Sequence, residues 1–411
     1  MSFADGIFRR HLLALGGGLL IQLATGRGAR ARESAGPAPS TPRMSASDQR
    51  FIEGLTDLVA RVLTALMAFS DALRRLEPHA VPSLRAELQP LAMALHDSLA
   101  RFRAMPPPAD LVPMAEQLSR AASAADKALQ EFATGNSFSA ALPHILDAMH
   151  EHCRAQALLY PLRRALSPIG AFFLERQVRA RAAEFDPQPR PGIATGIMNV
   201  PGTDGPRGGF ALYVPERYDP ARRWPLLVAL HGAGGTGQDF LWTWLVEARS
   251  RGVLLLAPTS IDGTWSLRDG VDVDAPALQA AIDYVRQRWQ VDTARILLTG
   301  ISDGASYTLL CGLRADMPFT ALAPISGVLL PTNLSNGNLK RASGKRIYLV
   351  HGARDWMFPV GFARSANAAL SGAGADITYR EIPDLAHSYP REENARILEW
   401  FDPALALPKP S

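Results

Sequence analysis

The sequence predicts an α/β fold, a mostly parallel sheet flanked by helices, preceded by an all-α helical bundle. Three observations carry this expectation. Residues 224–230, 294–299 and 346–350 are short continuous apolar runs that each end in a glycine-containing turn, the pattern of strands buried on both faces. Residues 47–184 carry no strand signal, and their apolar positions recur at three and four residues instead. Finally, the run 294–299 passes directly into Gly300, Ile301, Ser302, Asp303 and Gly304, a serine between two glycines where a strand turns sharply into a helix.

In chain order, the first segment reads as targeting sequence. Arg9 and Arg10 precede a modestly hydrophobic core at 12–24, which is too short for a permanent membrane span but suits a signal peptide, and Ala29, Arg30 and Ala31 offer a cleavage site. The paired arginines and the further Arg27 and Arg30 favour export by the twin-arginine route, to the periplasm or outside the cell. If translation instead starts at Met44, the expected location is cytoplasmic. The expected organisation is a signal peptide over 1–31, a linker over 32–46 rich in Ala, Pro and Ser, a helical bundle over 47–185, a second linker over 186–207 and a catalytic domain over 208–404.

Within the bundle, Phe51, Leu55, Leu58, Val62, Leu66, Phe69 and Leu73 define one long amphipathic helix begun by Ser47 and Asp48. Pro82 and Ser83 open a second helix that ends before the prolines at 106–108, and a third runs from about Ala109 to Ala133. A fourth begins near Ser137 and continues toward Leu166 with an interruption at Pro161, and a tail helix is expected over 169–185. Four helices with short joints predict an antiparallel bundle. His144, Asp147 and Glu151 share one helical face, but the other helices lack the Glu and Glu-x-x-His pattern of di-iron bundles, so no metal site is expected.

The catalytic half supplies what a serine nucleophile needs, because a hydroxyl is a poor nucleophile without a base, a group that orients the base, and donors for the oxyanion. The strand at 224–230 leads into the glycine-rich turn 231–237, whose Ala233 N–H would form an oxyanion hole with the N–H of Asp303. The strand at 346–350 leads to Asp355, and the alternating stretch 377–382 leads to His387. The order Ser302, Asp355, His387 is the Ser, acid, His order of the α/β-hydrolase fold. Asp384 is a rival acid close to His387, whereas His231 and His351 are expected to shape their own turns.

From about Gly208 to Trp400 the chain resembles the phospholipase/carboxylesterase branch of the α/β hydrolases, and it is also similar to the polyhydroxyalkanoate depolymerase and feruloyl esterase branch. The segments LHGAGGTG, LLTGISDGASYTL, HGARDWMFP and the His387 loop carry the resemblance. It implies hydrolysis of carboxylic esters through an acyl-enzyme, without metal or organic cofactor. Two positions depart from the family: Asp303, where Gln or Asn is common, and Ala386, where Gly is common; neither removes a catalytic atom. An acyltransferase or a peptidase of the prolyl-oligopeptidase type would use the same triad. A partner-binding protein with an inert hydrolase domain is the non-enzymatic alternative.

Trp242, Trp265, Trp356 and Phe358 fall near strand ends and are candidate linings for a small-molecule or polymeric ester substrate. The stretch between Ser326 and Lys345, where many lipases insert a cap, is short, so the bundle is expected to lie beside the cleft and screen substrates. Composition adds exclusions. The net charge of +4 is small for 411 residues, and no basic run with interleaved aromatics suggests nucleic-acid binding. With only Cys153 and Cys311 in the chain, each in an apolar helical setting, no disulfide framework is expected.

Overall fold

A computed structural model describes residues 45–202, 207–268 and 270–408 of the chain. The expected signal peptide and nearly all of the first linker lie outside the described residues. The described chain divides into two compact units: residues 45–69 with 85–172, and residues 70–84 with 173–408.

The first unit is helical, as its periodicity predicts. It is built from α1 (Ala46–Arg74, whose last turn belongs to the second unit), α2 (Val81–Arg103, from Arg85 on), α3 (Val112–Phe132), α4 (Phe138–Leu159) and the short α5 (Ser167–Phe172). Phe51, Leu55, Leu58, Val62, Leu66 and Phe69 are all buried. Phe51 packs on Phe102 of α2, and Phe69 packs edge-on against Phe132 of α3, so the apolar stripe of α1 is the seam of the unit. Ser137 caps α4 by accepting the Ala140 N–H, the role its residue type predicts. Arg85 donates to the carbonyls of Phe132, Thr134 and Gly135, satisfying groups that the end of α3 leaves open. Of the polar face weighed for metal, His144 bonds Glu131 at 2.9 Å and lies with it and Asp147 within 4.8 Å, while Glu151 instead pairs with Lys127 and Arg154.

The expected tail helix does not run unbroken from 169 to 185. It is α5 followed by a 3-10 segment, Arg176–Phe185, with an extended residue, Glu175, between them. Tertiary partners override the helical propensity here. The Glu175 N–H donates to Ser250 Oγ, and its carboxylate takes two bonds from the buried Arg251 guanidinium, 2.6 and 2.8 Å long.

The second unit is an eight-stranded sheet: β1 (Gly196–Pro201), β2 (Gly209–Val214), β3 (Trp224–Leu230), β4 (Leu254–Pro258), β5 (Val291–Ile301), β6 (Ala321–Ile325), β7 (Arg346–Gly352) and β8 (Asp376–Ile382). Their order is β1-β2-β4-β3-β5-β6-β7-β8, antiparallel at β1-β2 and β2-β4 and parallel from β4 to β8. The central strands are buried along their length, as continuous apolar runs require. Helices α6 (Gly237–Arg251), α7 (Asp274–Arg288), α8 (Asp303–Gly312), α10 (Gly361–Gly372) and α11 (Glu392–Phe401) make the parallel crossovers and the carboxyl end. Only the four-residue α9 (Thr332–Ser335) and a 3-10 turn, Asn338–Ala342, stand where a cap would be inserted. Strand β1 falls inside the stretch expected to be a linker. It is an edge strand with one neighbour and few buried positions, so its sequence carries little apolar signal.

Arg251 also donates to Glu399 and to the Leu405 carbonyl, so one guanidinium with 1% side-chain exposure ties the 3-10 segment, α6 and the carboxyl end together. Arg251→Met would leave the Glu175 carboxylate, itself only 10% exposed, without its counter-charge. Urea denaturation of this variant should show a loss of about 3–5 kcal/mol, the usual cost of breaking a buried pair on one side. A loss below about 1 kcal/mol would mean that the pair is solvated in the folded protein.

Candidate active site

The parallel strands end at one edge of the sheet, where the turn after β3, Ser302 after β5, Asp355 after β7 and His387 after β8 come together. Register makes the first two neighbours, since Leu230 at the end of β3 pairs with Gly300 of β5. Ser302 has φ 57° and ψ −120°, a backbone conformation that side chains rarely adopt. The flanking glycines permit it. A Cβ at Gly304 would lie 2.4 Å from the His231 carbonyl oxygen, and one at Gly300 would lie 2.5 Å from the backbone of Gly304. The bend is held by Ser302 N–H donating to Ile325 O at 3.0 Å, and by Ala305 and Ser306 N–H donating to Ser302 O, each at 3.0 Å.

His387 Nε2 lies 3.0 Å from Ser302 Oγ, and its Nδ1 lies 2.8 Å from Asp355 Oδ2. The other carboxylate oxygen of Asp355 accepts the N–H groups of Met357, at 3.0 Å, and Phe358, at 2.7 Å. Both oxygens of the fully buried Asp355 carboxylate are thus engaged, one by the His387 ring and the other by two backbone N–H groups. Asp384, the rival acid, is 73% exposed at its side chain and bonds Arg74 instead. His351 donates from Nε2 to the Phe358 carbonyl at 2.7 Å, bracing the turn that carries Asp355.

The turn 231–237 is pinned from several sides. His231 Nδ1 donates to Gly232 O at 2.6 Å, and its Nε2 accepts the Ser260 N–H at 3.0 Å. Burial pushes the His231 pKa down to about 4, so the ring is neutral and keeps both bonds at ordinary pH. Trp265 Nε1 donates to the His231 carbonyl, and Arg207 donates to Gly235 O, Asp262 O and Ser260 Oγ. The Gly234 N–H donates to Gly263 O, and that of Gly235 to Gly232 O. Asp303 is the first residue of α8, where a backbone N–H has no intrahelical acceptor, and its carboxylate accepts from Thr264 Oγ1 at 2.6 Å.

The four aromatic candidates divide by burial. Trp265 stacks on Tyr307 within the core, and Trp242 is buried against Phe173. Trp356 is 42% exposed, and with Phe358 it meets the His387 ring edge-on, at 6.4 and 5.2 Å between centroids. Arg207, Thr264 and Arg74 went unread in the sequence. Each acts through a contact distant along the chain, and arginine is too abundant here for any single one to stand out.

A family model described as phospholipase/carboxylesterase matches residues 256–402. Feruloyl esterase C of Emericella nidulans is 30% identical over 200 residues, which cover 46% of this chain and 68% of that protein. Probable feruloyl esterase C of Aspergillus terreus is 28% identical over 197 residues, covering 45% of this chain and 67% of that protein. Among solved structures, a thermostable esterase is 24% identical with a TM-score of 0.41, covering 50% of this chain and 61% of that one. With this sheet order, this strand-to-helix serine and the feruloyl esterase relatives, the chain belongs to the α/β-hydrolase esterases and is a carboxylic ester hydrolase.

Proposed function

We propose that the enzyme works through a Ser302, His387, Asp355 triad and an acyl-enzyme. The observation that carries this reading is the continuous hydrogen-bonded line from Ser302 Oγ through the imidazole to a buried carboxylate, 3.0 and 2.8 Å long. His387 Nε2 takes the hydroxyl proton as Oγ attacks the ester carbonyl, and Asp355 stabilises the imidazolium that forms. The oxyanion accepts the N–H groups of Ala233 and Asp303. The imidazolium then protonates the departing alkoxide, leaving the acyl group on Ser302. Water, deprotonated by the same nitrogen, attacks the acyl carbon, and collapse returns the proton to Oγ and releases the acid.

We assign Trp356 and Phe358 to the substrate rim, since their rings flank the base and Trp356 is open to solvent. With Met357 and Phe362 also exposed beside them, the rim favours an apolar or aryl group over a charged one. Trp242 and Trp265 then support the site from the core. A feruloyl ester, the substrate that the names of the two relatives above carry, is the class to test first.

Three outcomes are expected. Ser302→Ala should lower turnover of a p-nitrophenyl ester by at least ~10³-fold and abolish labelling by a fluorophosphonate, and retained labelling would move the nucleophile elsewhere. Trp356→Ala should raise KM for aryl esters several-fold while changing acetate esters little; equal effects on both would remove it from the rim. The His231 pKa, lowered from 6.5 to about 4, means that the folded state binds fewer protons than the unfolded one between those values. Its contribution to stability is therefore complete above about pH 6.5 and declines as pH falls toward 4. His231→Asn should show a smaller drop in Tm between pH 7 and 4.5 than the wild type, and an identical drop would contradict a neutral, buried imidazole.

A further inference from the structure

The loops that carry the acid and the base are both gripped by one short segment from the other end of the chain. Arg74, the last residue of α1, has a side chain only 19% exposed. Its Nε donates to Glu392 at 2.7 Å, and its Nη2 lies 3.3 Å from Asp384 Oδ1 and 3.4 Å from Oδ2. Those two carboxylates stand before and after His387 in the sequence, so the guanidinium brackets the base loop. The Arg74 carbonyl accepts the hydroxyl of Ser388, the residue next to the base, at 2.8 Å. Three residues on, Glu77 accepts from Arg354, the residue next to the acid, at 2.5 Å. The Arg354 N–H in turn donates to Leu385 O at 2.9 Å, joining the two loops to each other.

Measured as stability, these contacts are worth little, because Asp384 and Glu392 are 73% and 42% exposed at their side chains and such pairs contribute at most about 1 kcal/mol each. Their value lies in position. A base displaced by ~1 Å can cost ~10²-fold in rate, and Ser388 and Arg354 are the immediate neighbours of the two groups whose alignment matters. Without the segment, Asp384 and Glu392 lose their shared cation and the Ser388 hydroxyl loses its acceptor. The base loop then keeps the Arg354 N–H bond at Leu385 and the packing of Tyr389 on Phe240 and Trp244, with nothing in their place beside Ser388.

We propose that the turn from Arg74 to Glu77 is a positioning strap for the acid and base loops, so that the end of the N-terminal helix is required for full catalytic rate without touching substrate. The inference rests on His387 and Asp355 acting as proposed above. It makes Arg74 and Glu77 positioning residues, on a stretch that belongs to the same compact unit as the loops it holds.

The test uses the full chain and a p-nitrophenyl ester. Arg74→Met should lower kcat by ~10- to 100-fold with KM within about twofold, and should slow fluorophosphonate labelling in parallel. Arg74→Lys, which keeps a cation but not the forked reach, should recover part of the loss. Ser388→Ala and Glu77→Gln should each show a smaller loss of the same kind, and they carry the test if Arg74→Met does not fold. Wild-type kcat in folded Arg74→Met, or a rise in KM with kcat unchanged, would overturn the proposal. Ser302→Ala, run alongside, separates the two readings: an active Ser302→Ala sinks the triad itself, whereas an inactive one beside a fully active Arg74→Met sinks only the strap.

Discussion

The close approach of α8 to the end of β3 is the constraint on which the rest of this site depends. Gly304 lies so near the carbonyls of Leu230 and His231 that no side chain fits between them, and this contact sets the first turn of α8 against the start of the turn 231–237. The same contact forces the bend at Ser302. A helix that begins one residue after a strand and packs back on a neighbouring strand needs its joint in a conformation that costs of order 1–3 kcal/mol. That cost is met by the sheet below: the Ser302 N–H is bound to the end of β6, and the next strained residue, Ser326, is bound in turn to the end of β7. Among the described residues these are the two non-glycine positions with positive φ, and they stand side by side at the ends of adjacent strands.

Because strain is absorbed by strand ends, the groups that must be exact relative to one another come from rigid elements. Ser302 is fixed by β5 and α8, the turn 231–237 by β3 and α6, and Asp355 by the Met357 and Phe358 N–H groups and by His351 behind it. His387, the proposed base, is the exception. It stands five residues beyond the end of β8, on a loop whose internal bonds are few, and β8 itself is an edge strand with several half-exposed residues. A longer tether leaves more freedom to remove, and the contacts with Arg74 fall where that freedom is greatest.

Much of this was legible in the sequence because it obeys local rules. Continuous apolar runs gave β3, β5 and β7, the glycines around Ser302 marked the elbow, and the order of Ser302, Asp355 and His387 followed from which strand ends they occupy. That Asp355 and not Asp384 meets the His387 ring was also readable, since a carboxylate that follows a buried strand is placed to meet an imidazole and one on an exposed turn is not. What could not be read depends on partners far along the chain. The helix expected over 169–185 breaks at Glu175 because Ser250 and Arg251 bind it, and nothing near Glu175 signals that. Strand β1 has only one neighbour and little apolar character, so it was indistinguishable from a linker. Arg74 bonds residues more than three hundred positions away.

The two departures from the family pattern acquire a physical reading from the same geometry. Ala386 is buried, and its carbonyl accepts the Ser388 N–H, so the added methyl is accommodated by packing within the base loop instead of displacing it. Asp303 places a carboxylate beside a proposed oxyanion donor, where negative charge opposes the charge that develops in the transition state. The hydrogen bond from Thr264 and the position of Asp303 in the first turn of α8 both counter this, because each presents positive charge density to the carboxylate oxygens. An amide at this position would need neither. The sequence difference at 303 and the hydroxyl at 264 therefore belong together, two residues that are far apart in the chain and answer a single electrostatic problem.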